Sequence, residues 1–288
     1  MKLEKLGRNI IVRTVNGEHK TQFEALLISD VHWDNPHCLR DKLKKDLDEA
    51  VKRKARILIN GDFFCMMQGK YDPRRSKKNI RPEHNKSNYI DAVINDAVDW
   101  WKPYAHHIDF IGYGNHETAI IKNLETDPLQ RFVDLINREN NSNIFTGGYG
   151  GWYVVKFNRK LPGTRGSYKI KYMHGWGGGG PVTKGTIQNN RIQTYVEGAD
   201  MFWMGHVHED YELTYTQEVL NVKYSIQLKD KIHVRTASYK EEYEDGYGDF
   251  HIERGRPPKP TGGRWLNIDL TWDHGKSDVL IYGRTTKT

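Results

Sequence analysis

Over its first half the chain alternates short unbroken apolar runs with segments whose apolar residues recur every three or four positions. The run Ala25-Leu26-Leu27-Ile28 closes a strand over residues 23–29. A strand covered on both faces shows no polar alternation. Residues 8–15 lead into it through Asn16-Gly17, a turn signal that predicts a hairpin of the two. Over residues 39–55, Leu43, Leu47, Ala50 and Val51 recur at helical spacing among charges and predict an amphipathic helix. Residues 57–60 and 108–113 are two further buried strands, with a helix over 88–101 between them. Another helix is expected over 128–138, opened by a proline that the first turn tolerates.

After that the texture changes. Strands are expected over 152–157, 168–173, 201–204, 211–215, 222–227, 232–236, 266–270 and 279–281, interrupted by one helix over about 188–196. A β-α-β-α-β half followed by a β-rich half predicts an α/β fold, with two packed sheets, outer helices and one continuous core. Residues 1–288 are expected to form a single domain, since neither an internal repeat nor a long linker divides them. Segments 68–87, 175–180 (GWGGGG) and 241–260 read as irregular, and by composition each is a solvated loop.

Composition sets bounds. With 37% apolar and 28% charged residues among 288, the chain can bury a core, which excludes a disordered protein. No window approaches 18 consecutive apolar residues and residues 1–9 lack a signal-peptide hydrophobic run, so a cytoplasmic protein with no membrane partner is expected. Cys38 and Cys65 make no disulfide framework and match no zinc spacing. Lys and Arg exceed Asp and Glu by seven, compatible with a polyanionic partner but too modest to decide.

The candidate chemistry lies at strand ends. Three buried strands finish in Asp30-Val31-His32, Gly61-Asp62 and Gly114-Asn115-His116-Glu117, and two later strands run into His174 and Gly205-His206-Val207-His208. In open α/β sheets the ligand crevice lies beyond the carboxyl ends of the strands, so these tips converge. Singly, each has a bland reading: a capping pair, a turn, a satisfied core histidine. Together, at five strand ends, they are hard to explain by packing. Imidazole and carboxylate donors without thiolate favour Mn, Fe, Zn or Ni over a structural zinc site. So many donors exceed the needs of one ion, and two divalent ions can clamp a displacement at phosphorus.

In this order and spacing the five motifs resemble the signature of the calcineurin-like metallophosphoesterases, over residues 30 to about 208. The resemblance implies a four-layer α/β/β/α sandwich with a dinuclear centre, Mn being the leading metal. Carried over, Asp30, His32 and His208 would hold one ion, Asn115, His174 and His206 the other, and Asp62 would bridge. His116 would face the phosphorus as the proton-donating catalytic residue, and Glu117 would orient it. The nucleophile would be a hydroxide made available because a metal lowers the pKa of water from about 15.7 to near 7.

The arginine-bearing motifs of Ser/Thr protein phosphatases are absent, and Gly61-Asp62-Phe63-Phe64 stands nearer the repair-nuclease branch, although Cys65 replaces its usual histidine. Residues 66–90 carry seven basic against two acidic residues, including Arg74, Arg75, Lys77 and Lys78, so most of the net charge lies beside the Asp62 motif. Such a segment would attract a phosphate backbone. Trp176, in the glycine run after His174, could stack on a base or serve as core. A phosphodiester hydrolase with DNA or RNA as leading substrate is therefore expected. The alternatives are a small-molecule phosphatase or cyclic-nucleotide phosphodiesterase, and a non-catalytic binding module on the same scaffold.

Overall fold

A computed structural model describes residues 2–7, 9–16, 21–68, 72, 75–158, 166–222, 224–243, 250–253, 255–273 and 278–288. The fold is mixed α/β with two mixed sheets. In the six-stranded sheet, β3 (Gln22–Ile28), β4 (Arg56–Asn60), β5 (Ile108–Gly112) and β6 (Phe145–Thr146) run parallel. The C-terminal hairpin of β12 (Arg264–Asp273) and β13 (Asp278–Lys287) joins it antiparallel beside β3. The seven-stranded sheet has the order β1 (Lys2–Leu6), β2 (Ile10–Asn16), β7 (Gly150–Asn158), β8 (Gly166–Met173), β9 (Met201–Met204), β11 (Ile226–Arg235), β10 (Tyr211–Leu220).

Apolar side chains of both sheets meet in one cluster, where Ile11, Tyr153 and Ile170 pack with Ala25, Leu27, Leu58 and Phe110. Strand alternation sends the neighbouring Leu26, Ile28, Ile57 and Ile59 to the other face. There they pack with α1 (Arg40–Arg53), α2 (Tyr89–Trp101) and α4 (Pro128–Asn140). The buried stripes of α1 (Leu43, Leu47, Ala50) and α2 (Val93, Ile94, Ala97, Val98, Trp101) are those the spacing predicts. Phe202 and Met204 of β9 pack with Ile192 of α5 (Thr186–Ile192).

The predicted hairpin of residues 8–15 and 23–29 does not form. β2 pairs with β1 and, in parallel, with β7, whereas β3 lies between β4 and β12 in the other sheet. Both strands bury apolar side chains in the cluster common to the two sheets, so long-range partners outweigh the local turn signal. A strand over 222–227 is also corrected: β10 and β11 form one long hairpin that turns at Asn221–Ser225, with Leu220, Val222, Tyr224, Ile226 and Leu228 exposed at its tip. The helix near 188–196 runs earlier, over Thr186–Ile192. Segment 241–260 lies partly outside the described residues and contains the short α6 (Phe250–Glu253). Among the described residues no helix is long and apolar enough to cross a membrane.

Candidate metal centre

Because β3, β4 and β5 are parallel, their carboxyl ends share one edge, and β8 and β9, parallel to each other, deliver their own ends to the same place. Asp30, His32, Asp62, Asn115, His174, His206 and His208 are thereby brought together. His174 Nε2 lies 3.2 Å from Asp62 Oδ2 and 3.8 Å from Asp30 Oδ1. His208 Nε2 lies 3.4 Å from both Asp30 Oδ1 and His32 Nε2. His206 Nδ1 meets Asn115 Oδ1 at 2.8 Å, and its Nε2 meets the Gly177 carbonyl at 2.9 Å, so its ring would exchange one of these contacts for a cation. Asp30 and His174 are wholly buried, and His32 and Asp62 nearly so.

The backbone is bent to achieve this. Asp30, His32, Asp62, His206 and His208 all adopt left-handed φ, between 47° and 72°, a conformation that L-residues rarely hold without surrounding constraint. Two glycines are required by close approach. A Cβ at Gly114 would overlap Asp62 Oδ1, and one at Gly205 would overlap Asp30 Oδ2 and Ser29 Oγ. Asn60, at the end of β4, ties the sheets by donating to the carbonyls of Met173 (3.1 Å) and Trp203 (3.2 Å).

The donor atoms suit a cation. His174 Nδ1 donates to the Asn60 carbonyl at 2.8 Å, so a neutral ring would aim its Nε2 lone pair at two carboxylates. That Nε2 is buried and has no hydrogen-bond partner among the described residues. Only positive charge relieves such an arrangement. Without a metal a proton supplies it: burial by itself would lower the His174 imidazole, yet Asp62 and Asp30 raise it to about 10. Burial likewise opposes protonation of His208, but hydrogen bonding to Asp30 and Glu242 raises it to about 9. Against its own burial, Asp30 is held down to about 2 by His174 and His208. Two groups, Asp30–His32–His208 and Asp62–His174–His206, each gather their ligand atoms within 4.8 Å and could hold a metal ion. A third, His32–Cys65–His116, is a poorer candidate, since burial pushes the Cys65 thiol up to about 12 and thiolate is the ligating form.

No family model matches the chain, and no curated protein matches it. Among solved structures the chain is similar to GAP50, the anchor in the inner membrane complex of Plasmodium. The TM-score is 0.42 and the identity 11%, over 92% of this chain and 89% of that one.

His116 opens α3 (Asn115–Leu124), a helix that the sequence reading missed. Its Nδ1 donates to the Cys65 carbonyl at 2.6 Å, and its Nε2 stands 3.9 Å from Asp62 Oδ2. Glu117 meets the backbone around this ring. Its buried carboxylate accepts the backbone N–H groups of Gly114 (2.7 Å), Phe64 (2.8 Å) and Asp62 (3.2 Å), bracing the β4 and β5 tips together. Burial and the nearby Asp62 raise that carboxyl to about 8.

Asp34 also escaped the sequence reading. Buried, it accepts the N–H of Cys65 (2.6 Å) and Met66 (2.8 Å) and the hydroxyl of Tyr89 (2.7 Å), so it fixes the turn whose carbonyl holds His116. Arg75, Lys77 and Lys78 are exposed, and Arg74 lies outside the described residues. Trp176 packs half-buried against the cluster of Ile192, Phe202 and Met204.

Proposed function

We propose that the protein is a metal-dependent phosphodiester hydrolase of the calcineurin-like metallophosphoesterase kind, a four-layer α/β/β/α sandwich whose leading substrate class is nucleic acid. The observation that carries this reading is the convergence of buried imidazoles on the Asp30 and Asp62 carboxylates, centred on His174 Nε2, which faces both and has no hydrogen-bond partner among the described residues. Asp30, His32 and His208 would hold one divalent ion, Mn foremost, and Asn115, His174 and His206 a second, with Asp62 between them. Two such ions supply the charge that polarises a phosphate ester and makes water acidic enough to attack it near neutral pH.

The chain's own groups do the rest. Because the Cys65 carbonyl takes the proton of His116 Nδ1, the mobile proton of His116 sits on Nε2, the atom nearer Asp62. There it can be given to the departing ester oxygen, a contribution typically of about 10² to 10⁴ in rate. Glu117, tied to three backbone N–H groups, keeps Asp62 and His116 in register. The basic segment around Arg75, Lys77 and Lys78 supports a polyanionic substrate.

Metal analysis after loading with Mn tests the reading. Wild-type protein should approach two ions per chain, and Asp62→Ala should disturb both. A folded wild type that takes up one ion or none at saturating metal would refute it. Loaded protein should cleave bis(p-nitrophenyl) phosphate and DNA in preference to monoesters and cyclic nucleotides.

A further inference from the structure

A cavity of about 580 Å³ opens between the turn at Met66, the segment before α2, and α3 and α4. Two of its walls are continuous with the candidate centre. Met66 follows Cys65, whose carbonyl holds the His116 ring, and Ile120 lies on α3 one turn beyond His116, on the same face. A third wall is wired to the same turn, since Tyr89 lines the cavity and its hydroxyl bonds the Asp34 carboxylate that grips Cys65 and Met66. A body seated there therefore touches Met66 and Tyr89, both bonded to the Asp34 carboxylate that also holds the Cys65 N–H.

The lining specifies what fits. Met66, Ile80, Tyr89, Ile90, Ile120 and Leu124 give apolar surface. Among them stand amides (Gln68, Asn85, Asn88) that can meet the hydrogen-bonding edge of a planar ring. Lys86 adds positive charge at the wall, and the acid there, Asp91, is ion-paired with Arg131. His84, nearly fully buried, spends Nε2 on Asp96 (3.0 Å) and leaves Nδ1 without a partner among the described residues. Apolar faces, polar edges and a neighbouring cation are what a nucleoside attached to phosphate requires, and the volume lies in the range of small-ligand sites.

We propose that this cavity is the nucleoside subsite of the enzyme, holding the base and sugar next to the scissile phosphate. The proposal rests on the hydrolase reading and adds to it a site and a substrate class. Mn-loaded wild type should hydrolyse thymidine 5′-(4-nitrophenyl phosphate) with kcat/KM about tenfold or more above methyl 4-nitrophenyl phosphate, the ratio that about 1.4 kcal/mol of added binding gives. The two esters share a leaving group, so only the nucleoside differs. Leu124→Trp, at a partly exposed position, and Ile90→Trp should each fill the cavity and bring that ratio to near one. Thymidine 5′-monophosphate should bind metal-free wild type in calorimetry and fail to bind Leu124→Trp.

If both esters are cleaved at equal efficiency and the monophosphate does not bind, the subsite is refuted while the hydrolase reading stands. If neither ester is cleaved but the monophosphate binds wild type and not the filled variant, the cavity assignment stands and the hydrolase reading falls. Undiminished binding to both filled variants would overturn the subsite.

Discussion

Metal uptake should be a proton-exchange reaction, because in the metal-free protein protons occupy the positions that cations would take. At pH 7 His174, raised to about 10, and His208, raised to about 9, both carry a second proton, while Asp30, held at about 2, is ionised. Each of the two proposed ions must expel one of these protons to reach its imidazole nitrogen. Each expelled proton makes apparent affinity rise about tenfold per pH unit, so the product of the two affinities should rise about a hundredfold per unit between pH 6 and 8. Calorimetric titration with Mn in buffers of different ionisation enthalpy counts the protons directly, and about two per chain are expected. The same charges set the metal-free stability. An imidazole whose folded pKa is raised stabilises fully below its unfolded value near 6.5, and that stabilisation is lost as pH rises through about 9 to 10. For His174 the displacement from 6.5 to about 10 is worth at most about 5 kcal/mol, an energy held jointly with Asp62 and Asp30 and counted once. Metal-free protein should therefore lose Tm from pH 7 to 10, while Mn-loaded protein should gain Tm from pH 6 to 8. Affinity that is flat with pH, or a proton count near zero, would refute the account.

Two further outcomes follow from the side chains around the centre. His116→Ala should retain both ions yet lose about 10² to 10⁴ in rate on alkyl diesters, and much less on nitrophenyl esters whose leaving oxygen needs no proton; loss of a metal in that variant would show that His116 is a ligand. Replacing Arg74, Arg75, Lys77 and Lys78 together with Ala should flatten the salt dependence of DNA binding, by about 0.9 in log–log slope for each duplex phosphate contact removed. An unchanged slope, measured by fluorescence anisotropy across salt concentrations, would assign that segment to solvent.

Much of the centre was legible because four of its seven donors sit within one or two residues of a strand end and the other three within four, and strand ends are readable from hydrophobic runs. Asp30, Asp62, His174 and His206 needed only that inference. Asp34 was opaque for the opposite reason: Cys65 and Tyr89, which give it meaning, lie 31 and 55 residues away, and Asp34 looked like any polar residue after a strand. Asn60 carried a faint signal, an amide closing an otherwise apolar strand, but its role depends on β8 and β9 arriving from the other sheet. α3 is hidden in the sequence because Asn115-His116-Glu117 reads as a strand tip. Glu117 three residues after Gly114, where its carboxylate reaches back to the Gly114 N–H, was the available sign of a helix start. The misplaced hairpin has the same origin as Asp34. Asn16-Gly17 is a local preference, and sheet membership was decided by β7 and β12, far along the chain.

The left-handed backbone at Asp30, His32, Asp62, His206 and His208 sets activity and robustness against each other. Each such residue costs on the order of 1–3 kcal/mol relative to a relaxed conformation, and glycine at the same place would be spared most of it. Heat selection applied without an activity screen should therefore enrich glycine first at His32 and His206, where burial holds the imidazole below its usual range and the relief of backbone strain is not offset by a broken ion pair. Its winners would be tougher proteins with intact sheets and an erased centre, since the positions that most tempt stabilisation are the ones that make the crevice worth having.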